Sequence, residues 1–313
     1  MLDLSPEAGD LIADGLAGLQ RSTKTLPSKY FYDKRGSELF ETITTLPEYY
    51  VTRTELDIMA ESASEMGALL GEHGLLIEFG SGSGQKTREL LSALPEPAGC
   101  ILIDISKSAL SGSIEKLEEA FPSLPIFGVC ADYTRSLQLP EVGTNAKRRI
   151  AYFPGSTLGN FSNHEARVFL QRTAALLGPG GALLLGVDRV KAVGLLERAY
   201  DDARGVTAAF NFNLLTQLNA NGANFVLDRF RHSAVFNAAE SRVEMHLVSQ
   251  VEQTVELGSA TIRFDAGESI RTEMSHKYTL EAIRELAGSA DMTLEHHWSD
   301  KQDWFSVCYL SCR

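Results

Sequence analysis

Leu75-Leu76-Ile77-Glu78-Phe79-Gly80-Ser81-Gly82-Ser83-Gly84-Gln85-Lys86-Thr87 is the stretch on which the reading of this chain turns. An apolar run that ends on an acid and breaks into alternating glycines predicts a buried strand feeding a tight turn, with a helix restarting over 86–94. Glycine suits such a turn because the backbone must take positive φ and come close to a ligand without a Cβ in the way. The new helix meanwhile offers unpaired N–H groups. The spacing, Glu78-x-Gly80-x-Gly82-x-Gly84, is neither the G-x-G-x-x-G of a dinucleotide fold nor a Walker loop.

An adenosine-containing cofactor without a phosphate fits the turn better. The pattern of an acid followed by alternating glycines after a strand resembles motif I of S-adenosylmethionine methyltransferases. A second apolar strand, 100–104, ends on Asp104, where a carboxylate can accept from ribose hydroxyls. A third, Ile126–Cys130, runs into Asp132-Tyr133, a candidate adenine clamp. One acid at the end of one strand is an ordinary terminator; three consecutive strands in this order point to a site.

The chain has 313 residues, 44% of them hydrophobic, enough to bury a full core and to form one large domain with a smaller companion. A net charge of −12 argues against nucleic acid or an anionic membrane as partner. A small-molecule substrate and a monomer are expected. The first residues show no basic or apolar leader and no run approaches a membrane span, so a cytoplasmic protein is expected. Cys100, Cys130, Cys308 and Cys312 sit in or beside strand-like runs without C-x-x-C spacing, which favours buried free thiols over disulfides or zinc.

Strand and helix patterns alternate from the loop onward, with a fourth strand over 149–154 and a fifth over 182–187. This predicts an α/β fold, a doubly wound Rossmann-like sheet with ligands at the carboxyl ends of its strands, where Gly155 and Asn160 fall. The pattern is then interrupted. Residues 190 to about 220 read as helices, and 242–248 and 260–264 alternate as half-exposed antiparallel strands. An inserted α+β second domain is therefore expected at 190–276, joined by the aromatic-rich 1–53. The cofactor domain would comprise 54–189 and 277–313, closing with a helix over 280–287 and strands near 293–298 and 304–311. A detour this long should choose the acceptor.

Several strings carry a closer likeness: Tyr30-Phe31-Tyr32-Asp33, Leu46-Pro47-Glu48-Tyr49-Tyr50 with Thr52-Arg53-Thr54-Glu55, Gly155-Ser156-Thr157 with Gly159-Asn160, Ala199-Tyr200-Asp201-Asp202, the 205–211 run, and Arg271-Thr272-Glu273 with Ser275. Together they closely resemble the L-histidine Nα-methyltransferases of ergothioneine biosynthesis, over nearly the whole chain. The resemblance implies the class I methyltransferase form of the fold, and trimethylation of the histidine α-amine to hercynine with S-adenosylmethionine as methyl donor. The alternative is an N-methyltransferase of the same build acting on another amino acid or amine.

Carried over by position, the resemblance implies cofactor contacts at Gly80, Ser81, Gly82, Lys86, Asp104, Asp132 and Tyr133. It implies histidine contacts at Tyr49, Asn160, Tyr200, Glu273 and Ser275, with Tyr32, Gly155 and Met245 lining the pocket. Glu273 and Ser275, two apart on a strand, share a face, and a carboxylate plus a hydroxyl can hold both ring nitrogens. Taken alone, Glu273 would read as a surface acid beside Arg271. Asn160 and Tyr200 can donate to the substrate carboxylate, or else cap a helix and pack as a helix aromatic. Tyr32 and Tyr49 would serve catalysis, offering π-faces and phenol oxygens to a growing ammonium.

Displacement at a sulfonium methyl is mostly alignment and calls for no metal. No residue reads as a strong general base near neutral pH, which leaves water or a tyrosine-linked chain to take the proton. His296-His297, adjacent on a strand, cannot chelate one metal together. His276 is expected to be an exposed strand-end histidine, and Lys147-Arg148-Arg149 to mark a solvated turn at the start of the fourth strand.

Overall fold

The computed structural model of the chain describes residues 1–4, 10–82, 84–135 and 137–313. The chain divides into two units, one built from Met1–Ala8, Arg53–Val190 and Tyr278–Arg313, the other from Gly9–Thr52 and Lys191–Lys277.

Among the described residues the first unit holds an eight-stranded sheet in the spatial order Leu2–Asp3, Ile126–Cys130, Gly99–Asp104, Gly74–Phe79, Arg148–Phe153, Ala182–Asp188, Phe305–Cys312, Met292–Ser299. The strands are parallel up to Ala182–Asp188; Phe305–Cys312 runs antiparallel to both of its neighbours. This is the class I methyltransferase sheet, with the chain reversing direction across the sheet beside Gly74–Phe79. Leu2–Asp3 pairs with Val129 and Cys130 at the sheet edge. The first residues thus depart from the expected grouping of 1–53 with the insert.

Every residue of Gly74–Phe79 is buried, as a strand covered on both faces requires. Helices Gln85–Ala93, Lys107–Ala120, Asn163–Leu177 and Leu280–Gly288 supply cover, the third opened by a capping box between Ser162 and Glu165. Ser162, not Asn160, caps it. On one face the rings of Phe79, Phe153 and Phe169 meet, Phe153 and Phe169 with centroids 4.6 Å apart. Lys147 and Arg149 are exposed at the start of Arg148–Phe153, as a solvated turn entering that strand requires, while the Arg148 guanidinium between them donates to the carbonyls of Leu69 and Leu70 and to the Tyr309 hydroxyl.

The second unit holds helices Leu11–Leu19, Lys34–Thr44, Val193–Tyr200 and Val206–Ala220. Its four-stranded sheet runs Lys24–Thr25, Ser269–His276, Arg242–Ser249, Phe230–Asn237, with Gln253–Leu257 and Ala260–Phe264 as a separate hairpin. Register shifts between Arg271 and Glu273, leaving Thr272 as the extra residue; its hydroxyl donates to the Met245 carbonyl. Beyond this bulge Glu273 faces Met245 and Ser275 faces Val243 in regular pairing. The bulge sets which face the two side chains occupy. Among the described residues no helix is long and apolar enough to cross a membrane.

Candidate active site

In the first unit the glycine turn follows the strand end as its spacing requires. Gly80 and Gly82 adopt φ of +82° and +46°, and a Cβ on either would point into open space. The Ser81 N–H and hydroxyl donate to one oxygen of Asp104, at 2.9 and 3.0 Å, and the Ser106 N–H donates to the other at 2.8 Å. The loop is thereby fastened to the next strand end. Ser113 fastens it again by donating to the Gly82 carbonyl.

Glu78 is 2% exposed and its Oε2 has no hydrogen-bond partner among the described residues. Burial pushes its carboxyl up to about 8. A buried carboxyl with one oxygen left unpartnered beside open glycines matches a ligand that brings a cation, and the acid at Asp104 matches one that brings a diol. S-adenosylmethionine has both, so the residues present fit it.

Lys86, expected at the cofactor, is ion-paired with Glu55, whose side chain is wholly buried. Glu55 also accepts from the Gly155 N–H at 2.8 Å and from the Tyr152 hydroxyl. Gly186 makes room for this carboxylate: a Cβ there would collide with Glu55 Oε1. Glu55 thus joins the glycine-turn helix to the loop after the fourth long strand. Sequence reading placed it only within a string that carries the family likeness, with no role of its own.

Asp132 accepts from the N–H and hydroxyl of Thr134. The Tyr133 ring packs near Phe79, Phe153 and Phe169 at 5.7–6.3 Å between centroids, and burial raises its phenol above the usual range. Asn160 closes the short turn Thr157–Asn160 that Gly155 and Ser156 lead into.

In the second unit a tight polar group forms around the end of the Ser269–His276 strand. The Tyr200 hydroxyl donates to Ser275 Oγ at 2.8 Å, and Lys277 Nζ donates to both oxygens, at 2.8 and 2.9 Å. Tyr200, expected at the histidine carboxylate, has its hydroxyl bonded to Ser275, where a lysine two residues further along the strand gathers both hydroxyls. Lys277, 2% exposed, was missed by sequence reading. Its signal was the repeat of two, Glu273, Ser275, Lys277, which continues one polar face.

Glu273 is half-buried, and burial pushes its carboxyl up to about 7 while Lys277 pulls it down. Glu273 and Glu78 therefore both titrate near neutral pH, where sequence reading found no such group. The Tyr49 ring meets Tyr200 edge-on at 6.2 Å and Phe40 at 6.2 Å; Tyr32 meets Phe40 edge-on at 5.6 Å and is 38% exposed. Met245 is buried opposite Glu273. The unit thus brings Tyr49, Tyr200, Met245, Glu273 and Ser275 into one neighbourhood, with Tyr32 reached through Phe40. His276 is buried, not exposed, with Nδ1 at 3.1 Å from the Glu240 carbonyl, because its strand continues into the clamped backbone of Lys277.

A family described as "Histidine-specific methyltransferase, SAM-dependent" matches residues 11–312. The histidine N-alpha-methyltransferase of Mycobacterium tuberculosis is 39% identical over 97% of this chain and 96% of its own length. That of Mycolicibacterium smegmatis is 40% identical over 96% of each. Ergothioneine biosynthesis protein 1 of Schizosaccharomyces pombe is 29% identical over 86% of this chain, which spans 36% of that protein. With the sheet order, the glycine cradle and a match that runs almost end to end, this chain belongs to the S-adenosylmethionine-dependent, histidine-specific methyltransferase family.

Proposed function

We propose that this protein transfers methyl groups from S-adenosylmethionine to the α-amine of L-histidine, three times in succession, giving hercynine on the route to ergothioneine. The observation that carries the choice of acceptor is the polar face of the Ser269–His276 strand. Glu273 and Ser275 stand two residues apart beyond the bulge, and a carboxylate and a hydroxyl there match the two nitrogens of an imidazole.

Bound S-adenosylmethionine supplies an electrophilic methyl on a sulfonium, which leaves as a neutral thioether. The chain's own residues hold and orient. Glu78, Gly80, Ser81 and Gly82 form the cradle, Asp104 takes the ribose hydroxyls, and Asp132 with Tyr133 takes the adenine. Glu55 keeps Lys86 and Gly155 in place behind them. Glu273 and Ser275 grip the ring, Met245 lies behind Glu273, and the family likeness assigns further histidine contacts to Tyr200, Gly155 and Asn160. Tyr49 and Tyr32 attend the amine, which must shed a proton before each transfer; their phenol oxygens relay it and their faces accept the positive charge that the last transfer makes permanent. Rate comes mainly from alignment of the amine lone pair with the carbon–sulfur bond.

The test is direct. Purified protein incubated with L-histidine and S-adenosylmethionine should give products bearing one, two and then three added methyl groups by mass spectrometry. Absence of methylated histidine, with methylation of another amine supplied in parallel, would replace this reading.

A further inference from the structure

Resting on the ring-binding role of Glu273 and Ser275, we propose that Lys277 is a positioning residue that forces Ser275 to act as a hydrogen-bond donor, so that the site takes the histidine ring only as neutral imidazole, in one tautomer and one orientation.

Lys277 is held from both sides. Its backbone N–H donates to the Ser241 carbonyl at 2.7 Å, and its carbonyl accepts from the Ser241 hydroxyl at 2.9 Å. Its ammonium lies over the Tyr200 ring, 4.7 Å from the centroid, and donates to Tyr200 Oη and Ser275 Oγ, which are themselves bonded at 2.8 Å. The Tyr200 backbone is pinned as well, its carbonyl 2.9 Å from His232 Nε2, while His232 Nδ1 meets the Asn211 amide. The three polar atoms form a closed triangle.

An ammonium has protons to give and no site to accept one. Neither hydroxyl in the triangle can therefore donate to Lys277. One hydroxyl proton lies between the two oxygens, and one is left over for donation outward. As Tyr200 donates to Ser275, the remaining proton belongs to Ser275, whose oxygen already accepts from both neighbours. Burial raises the Glu273 carboxyl to about 7, the same ammonium pulls it back down, and a ring N–H donated to it on binding favours its ionised, accepting form further. The strand thus presents an acceptor and, two residues on, a donor.

That pair matches a ring with one N–H and one bare nitrogen. An imidazolium has two N–H groups and would set the second against a filled oxygen with an ammonium directly behind it. A lysine that carries no reacting atom then decides which protonation state of the substrate is bound.

Two measurements test this. In the complex of the wild-type protein with S-adenosylhomocysteine and ring-15N-labelled L-histidine at about pH 6, below the ordinary imidazole pKa of about 6.5, NMR should show one protonated and one bare ring nitrogen. Two protonated nitrogens would overturn the proposal, and this arm needs no variant to fold. In steady-state kinetics, Lys277→Met and Ser275→Ala should each raise the KM for histidine about tenfold or more, with kcat within about threefold. The double variant should cost little beyond either single one, because both remove the same donor. Additive effects, or an unchanged KM in folded Lys277→Met, would overturn the role of Lys277 alone. An unchanged KM in Ser275→Ala would instead overturn the ring-binding role on which it rests.

Discussion

The backbone N–H of Gly155 donates to the carboxylate of Glu55 across 2.8 Å, joining positions one hundred residues apart in sequence. That carboxylate is wholly buried and also holds Lys86. A buried charge is tolerated when it is paired and hydrogen-bonded, and removal of one partner leaves the other uncompensated. Glu55 is therefore the point at which the glycine-turn helix and the loop following Arg148–Phe153 are tied.

Glu55→Ala is expected to cost about 3 kcal/mol of stability, because it strands the Lys86 ammonium. Lys86→Met should cost a similar amount and the double variant distinctly less than the sum. Urea unfolding of the three proteins checks this. Strict additivity would mean that the pair is not coupled, and that Lys86 is held by something else.

Glu78 is expected to make cofactor binding release a proton. Its carboxyl is raised from the ordinary 4.5 to about 8, so near pH 7 the folded chain without ligand holds a proton there that the unfolded chain has lost. The stabilising effect of that proton is complete below 4.5 and is lost as pH rises through about 8. A cation brought into the cradle favours the ionised form and expels the proton. Calorimetry of S-adenosylmethionine binding without histidine near neutral pH, in buffers of different ionisation enthalpy, should register proton release in the wild type and none in Glu78→Gln. An equal proton count in the two would separate Glu78 from the ligand.

The parts of this site that could be read from sequence are those fixed by local pattern. Glu78, Asp104 and Asp132 announce themselves because each ends or follows an apolar run of strand length, and the glycines between 80 and 84 leave one backbone solution. Glu55 and Lys277 escape such reading for a common reason. Their roles come from partners that only the tertiary fold supplies: Gly155 and Lys86 for the first, Tyr200 for the second. The bond between Tyr200 and that lysine escapes for the same reason, since the two lie 77 positions apart. The bulge at Thr272 carries no glycine to mark it, although the face on which Glu273 and Ser275 stand depends on it.

Glu273 offers a second pH signature, of the same sign. Its carboxyl is raised from 4.5 to about 7 by burial, so its contribution to stability is present below 4.5 and fades as pH climbs through 7. Glu273→Gln stays neutral throughout. Thermal unfolding from pH 5 to 8 should show the variant gaining on the wild type as pH rises, while its KM for histidine increases about tenfold or more through loss of the acceptor. A variant that tracks the wild type at every pH would place Glu273 in water. An unchanged KM would remove it from the ring.

Tyr49 is the residue on which the chemical step can be tested most cleanly. Its ring is buried and packs edge-on against Tyr200 and Phe40, so Tyr49→Phe keeps the packing and deletes only the phenol oxygen. Each methyl transfer begins from an ammonium that must lose a proton, since methylation leaves an amine that is again protonated near neutral pH until the last group is added. If the Tyr49 oxygen relays those protons, all three steps should slow by about ten- to a hundredfold with little change in KM. The deficit should shrink as pH passes the pKa of the free amino acid's α-ammonium, which lies above the peptide N-terminal value of about 8, since the substrate then arrives already deprotonated. Single-turnover mixing with mass-resolved products gives each step separately. Unchanged rates at every step would assign proton removal to water, and a deficit that does not narrow at high pH would make the hydroxyl an anchor rather than a relay.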